Sequence, residues 1–151
     1  MTEIENSFDE VSESAGRAPV IASLISLVGL FDSVYLTIKH YSGEPVPCSV
    51  VEGCETVLTS PYAEIAGVPL AALGAVAYFA AFSFSILAAF GNRVFWKPFG
   101  IQAFLMAAFS VWLIYLQGFV IGAFCQFCLI SAGSSIALFI TFLVSNLTSK
   151  K

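Results

Sequence analysis

From Pro98 to Thr148 the chain contains no Asp, Glu, Lys or Arg. An apolar helix needs about 20 residues to cross the hydrocarbon core of a bilayer, at 1.5 Å of rise per residue. The uncharged run is roughly twice what one crossing requires. It must therefore enter the membrane, turn and return. Gly118 and Gly122 lie close together near its middle, so the turn is predicted at Gly118 to Ala123. That places helices at about 98–118 and 123–147.

Two further spans follow from the same reasoning. Pro19 to Ile38 is apolar apart from Asp32, and Val68 to Phe90 carries no charge. They predict helices at about 19–40 and 68–90. The composition agrees with a membrane protein: 58% of residues are hydrophobic and 11% charged, against about 25% charged in a soluble domain. Backbone groups cannot stay unpaired in lipid, so four such segments predict an all-α membrane protein, a four-helix transmembrane bundle over residues 19–148. Residues 1–18, with Glu3, Glu5, Asp9, Glu10 and Glu13, have too little apolar surface to offset ordering entropy, and they are predicted to be a disordered tail. The acidic start does not match the basic n-region of a signal peptide, so the first span is read as retained.

The basic residues orient the bundle. Arg17, Arg93, Lys97, Lys150 and Lys151 fall on one side of these spans, and only Lys39 falls on the other. By the positive-inside rule both termini are cytoplasmic, and the 41–67 loop is extracytoplasmic. The net charge of −4 and the lack of any basic stripe give no reason to expect a nucleic-acid partner; the partners expected from this pattern start with membrane lipid.

Four cysteines fall in two pairs. Cys48 and Cys54 lie in the outer loop, in C-S-V-V-E-G-C, and Cys125 and Cys128 form C-Q-F-C at the outer end of the last span. The topology therefore brings both pairs to one face. The outer face of a bacterial inner membrane is oxidising and permits stable or cycling disulfides. Four thiols admit three pairings. Residues three apart share a helix face, at a separation a disulfide can bridge, so Cys125 and Cys128 can pair. A cysteine at a helix N-terminus feels the positive end of the macrodipole, which favours the thiolate.

Duller readings stand beside a redox one. The membrane cysteines could be small packing residues, and the loop pair a structural staple in a non-enzymatic protein. Zinc would ask for two tight knuckles in a polar setting, and these spacings do not supply them, so no metal site is expected. If both pairs are active, the exposed pair can exchange with a protein thiol and the pair at membrane depth can meet a lipid-soluble acceptor. There is no dinucleotide fingerprint, and His40 is the one histidine. A quinone is the natural diffusible oxidant there. Its headgroup needs an apolar pocket, for which the phenylalanines and small residues such as Gly74, Ala75 and Ala108 could provide walls.

With those residues in view, the chain resembles the vitamin K epoxide reductase family in its bacterial, quinone-linked, disulfide-forming branch. The resemblance covers roughly residues 25–135. It is carried by G-L-F-D-S-V-Y-L at 29–36, C-S-V-V-E-G-C at 48–54, S-P-Y-A-E-I-A-G-V-P-L at 60–70, Gly74, and C-Q-F-C at 125–128. Bacterial disulfide-bond formation protein B, which is functionally similar, carries its C-x-x-C pair first. The resemblance implies a four-helix bundle around a quinone of the ubiquinone, menaquinone or phylloquinone type, capped by the loop and a short half-helix near 55–65. It implies that Cys48 exchanges with the partner, that Cys54 passes electrons to Cys125, and that Cys128 reduces the quinone. Ser60 matches the family's loop serine near the quinone, with a cap or turn hydroxyl as its plainer reading. Asp32 is either functional or locally satisfied.

Animal members carry a tyrosine four residues after the last cysteine, where this chain has Ala132. That favours quinone reduction over epoxide reduction as the activity. Many bacterial relatives carry a fused thioredoxin-like domain; this chain ends at Lys151, so a separate extracytoplasmic thioredoxin-fold oxidase is expected as the partner in trans.

Overall fold

The computed structural model describes the backbone of residues 2–150, and the side chains of residue 3 and of 16–150. It is a helical bundle. Helix α1 spans Thr2–Ser42, α2 Cys54–Leu58, α3 Leu70–Ala89, α4 Trp96–Tyr115 and α5 Gln126–Ser149. Among the described residues, four segments are long and apolar enough to cross a membrane: Gly16–Ser42, Leu70–Ala89, Arg93–Ile121 and Gln126–Ser149. The chain is thus an all-α, multi-pass membrane bundle, as its charge-free runs predict.

Large apolar side chains point outward from these helices. Phe31 on α1 is 71% exposed, and Phe79, Ile101 and Leu147 are exposed on the other three. In water such a surface would be unstable; in lipid it is the solvated face. The interior is correspondingly built from small residues and a few large ones. Ala22, Ser26, Gly29 and Ser33 recur at helical spacing on α1 and let α3 approach closely. The Tyr78 ring lies directly against Gly29, where any side-chain carbon would fall within 2.5 Å of it. Gly74 meets Ser33 in the same way. Gly100 on α4 receives the Phe142 ring of α5. Tyr78, Phe99 and Leu138 fill the centre, with Ala22, Ala81 and Ala103 around them.

Buried hydroxyls bond to their own helices: Ser26 to the Ala22 carbonyl at 2.8 Å and Ser134 to that of Ile130 at 2.9 Å. Such back-bonding keeps a polar atom satisfied where no water reaches it.

Three local features differ from the sequence expectation. First, α1 does not begin near Pro19 but runs without a break from Thr2. No glycine or proline intervenes before Gly16. Pro19 lies inside the helix and is tolerated there.

Second, the half-helix is only Cys54–Leu58. Ser60 and Pro61 stop it, because the residue before a proline disfavours the helical conformation. The chain then forms a two-residue antiparallel ladder, β1 at Glu64–Ile65 with β2 at Val68–Pro69. Ala66 and Gly67 both have positive φ, at 53° and 81°, as a two-residue hairpin turn demands.

Third, Gly118 does not break the third span. The helix widens into a π-helical turn over Leu116–Ile121, and Gly122, left-handed at φ 71°, ends it. The chain then runs extended to Cys125.

Candidate functional site

The loop between α1 and α3 is stapled at its two cysteines. Cys48 and Cys54 form a disulfide with Cα atoms 6.3 Å apart. Cys48 is half-buried beside exposed Ser49 and Val50, whereas Cys54, at the first position of α2, is 1% exposed. One sulfur of the pair is therefore near the protein surface and the other faces inward.

Cys54 faces the second pair. Cys54, Val57 and Cys125 form one buried cluster, with Cys48, Phe127 and Cys128 packed against it. Gly53 makes this possible. A side-chain carbon there would fall 2.5 Å from the Phe124 carbonyl oxygen and 2.8 Å from its nitrogen. The loop backbone thus lies directly on the strand leading into C-Q-F-C. Gln126 adds a polar tie, its Oε1 accepting from the Val50 N–H at 3.1 Å.

Cys125 is the N-cap of α5. Its sulfur accepts from the Cys128 N–H at 3.5 Å. The Cys128 thiol and the backbone N–H groups of the first turn hold the Cys125 thiol below its ordinary value. Burial and the Asp32 carboxylate oppose that shift, but do not reverse it. Cys125 and Cys128 are free thiols in this structure. The Cys125 N–H is bonded to Gln117 Oε1 at 3.1 Å, and the Ala123 N–H to the Gln117 carbonyl at 3.1 Å. Gln117, 4% exposed in the π-helical turn, thereby fixes the approach to Cys125 and Cys128. Replacing it with leucine leaves the buried Cys125 N–H without a partner, a cost of about 1–3 kcal/mol. The expected result is faster alkylation of Cys125 in the reduced protein, measured by mass spectrometry of the modified peptide.

Cys128 opens onto a cavity of about 170 Å³ between the helices and the loop cap. Ser60, Tyr78, Ser131, Ala132 and Ser135 share its lining, and Pro69 and Leu70 bring the hairpin to its rim. Ser60 donates to the Val57 carbonyl at 2.7 Å at the end of the half-helix and also lines the cavity. The Tyr78 hydroxyl donates to the Ser131 carbonyl and lies 2.8 Å from Ser135 Oγ. His40 Nε2 lies 2.8 Å from Glu64 Oε1 and ties the hairpin to the outer end of α1. Among the described residues no three His, Cys, Asp or Glu side chains gather as a metal site.

The pattern that defines the vitamin K epoxide reductase family matches residues 20–143, which include both cysteine pairs and all four spans' cores. The chain belongs to the vitamin K epoxide reductase family. A curated relative is the thiol-disulfide oxidoreductase LTO1 of Arabidopsis thaliana, 33% identical over 119 residues. Those residues are 73% of this chain but only 32% of that protein, so the chain spans about a third of the relative's length. In this vitamin K epoxide reductase homologue, the four cysteines named from sequence converge at one end of the bundle. Sequence reasoning did not single out Gly53, Gln117 or Tyr78. Gln117 had a signal, since an amide is unusual inside a charge-free span. Gly53 and Tyr78 had none, because their roles depend on what packs against them.

Proposed function

We propose that the chain is a membrane thiol–disulfide oxidoreductase that carries electrons from a reduced thioredoxin-fold protein to a quinone, and so drives disulfide formation. The observation that carries this reading is the order of the four sulfurs. Cys48 is half-buried beside exposed Ser49 and Val50, Cys54 and Cys125 are packed together, and Cys128 borders the cavity.

Each transfer forms one sulfur–sulfur bond and breaks another. A partner thiolate attacks Cys48 and releases the Cys54 thiolate. The partner's second thiol displaces Cys48. Cys54 attacks Cys125 of the oxidised inner pair, and Cys128 leaves as a thiolate. Cys48 then closes on Cys54 and frees Cys125, leaving the inner pair reduced. Its re-oxidation delivers two electrons and two protons.

The cavity suits a quinone ring as their acceptor. A dry apolar cavity of roughly 150 Å³ in another protein takes up benzene, and this one is of similar size, with hydroxyls of Ser60, Tyr78, Ser131 and Ser135 on its walls. To hold the ring carbonyls, the Ser60 and Tyr78 hydroxyls would turn from the Val57 and Ser131 carbonyls to which they donate, and the apolar remainder would exclude water. A bound quinone of the ubiquinone, menaquinone or phylloquinone type supplies a two-electron, two-proton sink. Ala132 adds only a methyl group to the wall, which supports quinone over epoxide chemistry. The distribution of Lys and Arg supports both termini on the cytoplasmic side and the cysteines on the opposite face of the membrane.

The test uses the reduced protein in lipid nanodiscs, mixed with excess quinone. Quinol is expected in step with formation of the Cys125–Cys128 disulfide, followed by absorbance and thiol alkylation. Retention of all four thiols under excess quinone overturns the reading.

A further inference from the structure

Asp32 is the one acidic residue within the four spans. Its Oδ2 is buried and has no hydrogen-bond partner. A carboxyl group in that position is costly unless function retains it. Its neighbours on the α1 face locate it. Gly29, one turn before, lies against the Tyr78 ring. Tyr35, three residues later, packs its ring on Phe127 with centroids 5.3 Å apart. Phe127 stands between Cys125 and Cys128. Residues three apart share a helix face, so Asp32 lies between the Tyr78 hydroxyl, on the cavity wall, and the start of α5.

The elements packed on α1 are α3 and α5. They bring Tyr78, Cys125 and Cys128 into electrostatic reach of the Asp32 carboxyl. On α1 itself, toward the outer end, Lys39 is engaged by Glu44 at 2.7 Å and His40 by Glu64. No basic group faces the carboxyl from α3 or α5, whose spans carry none.

Closing two thiols to a disulfide releases two electrons and two protons. The electrons leave with the oxidant, but the protons must come off sulfurs buried at membrane depth. We infer that Asp32 handles protons for the Cys125–Cys128 pair: its carboxylate takes first the proton of the attacking thiol and then that of its partner as the sulfur–sulfur bond forms, and passes each in turn, with the two electrons, to the acceptor. The inference rests on the redox reading of that pair and not on which oxidant serves it.

The experiment follows closure of the Cys125–Cys128 disulfide in the fully reduced protein, across pH, with diamide in one arm and a quinone in the other. General acid–base assistance contributes typically 10²–10⁴-fold. Asp32→Asn is therefore expected to slow closure by roughly 10²-fold at neutral pH. The deficit disappears in alkaline solution, where hydroxide removes the proton. Asp32→Glu keeps an acid and restores most of the rate, with a displaced pH midpoint. A wild-type pH profile in Asp32→Asn overturns the inference. So does a deficit that persists unchanged at high pH, since that is a packing defect. Should Asp32→Asn fail to fold, an undisplaced midpoint in folded Asp32→Glu overturns it equally. A wild-type protein that closes its pair with diamide but not with quinone defeats the quinone reading and leaves Asp32's role standing.

Discussion

Cys128→Ser is expected to abolish turnover and to accumulate a disulfide between Cys54 and Cys125. Without Cys128 the inner pair cannot close, so nothing reaches the acceptor. Cys125 remains, with its thiol held below the ordinary value by the groups at the start of α5, and it lies in one buried cluster with Cys54 of the oxidised loop pair. Its thiolate attacks Cys54 and releases Cys48. In the native protein Cys128 resolves this link by attacking Cys125 and releasing Cys54, which serine cannot do. The trapped link is read as a cross-linked peptide pair after non-reducing digestion. Cys125→Ser gives the contrasting result: turnover is also lost, but no link to the outer loop forms. A Cys128→Ser protein that still turns over, or that traps no link while Cys54 and Cys125 stay packed, contradicts the order of transfer.

The helices were legible in the sequence because a bilayer imposes a simple rule. Charge is excluded for about 20 residues at a time, and the charge-free runs marked four spans without knowledge of any contact. The cysteine pairs were legible for a related reason, since topology alone put both at one face. The small residues on α1 were visible as residues but not as a docking surface, because Gly29 and Gly74 matter only through Tyr78 and Ser33 opposite them. The π-helical turn was misread as a break. Gly118 remains helical, and it is Gly122, with positive φ, that ends the segment. The start of α1 lay outside what composition can place, because composition weighs burial, whereas the helix from Thr2 continues the span behind it. Ser60 shows the limit most clearly. Its hydroxyl donates at the end of α2 and the residue also lines the cavity, and a sequence offers those as alternatives.

Gly53→Ala tests the contact on which transfer between the pairs depends. The added methyl group would fall 2.5 Å from the Phe124 carbonyl oxygen and 3.0 Å from the Ala123 side chain. The first obstacle is backbone, which cannot rotate away, so the loop must lift from the entry to α5. Overpacking of this kind costs about 1–3 kcal/mol. The kinetic effect is larger, because a displacement of about 1 Å can cost 10²-fold when reacting groups depend on placement. Electron transfer from a reduced partner to quinone is therefore expected to fall by roughly 10²-fold. Two controls locate the loss. Re-oxidation of a chemically reduced Cys125–Cys128 pair by quinone should stay within a few-fold of the unmodified protein, because Cys128 and the cavity lie on the far side of the contact. Exchange of the partner with Cys48 should also persist, because that sulfur lies beside the exposed Ser49 and Val50. A Gly53→Ala protein with normal partner-driven turnover would mean that Cys54 reaches Cys125 by a movement of the loop, and that the close approach of Gly53 to Phe124 is not needed for transfer.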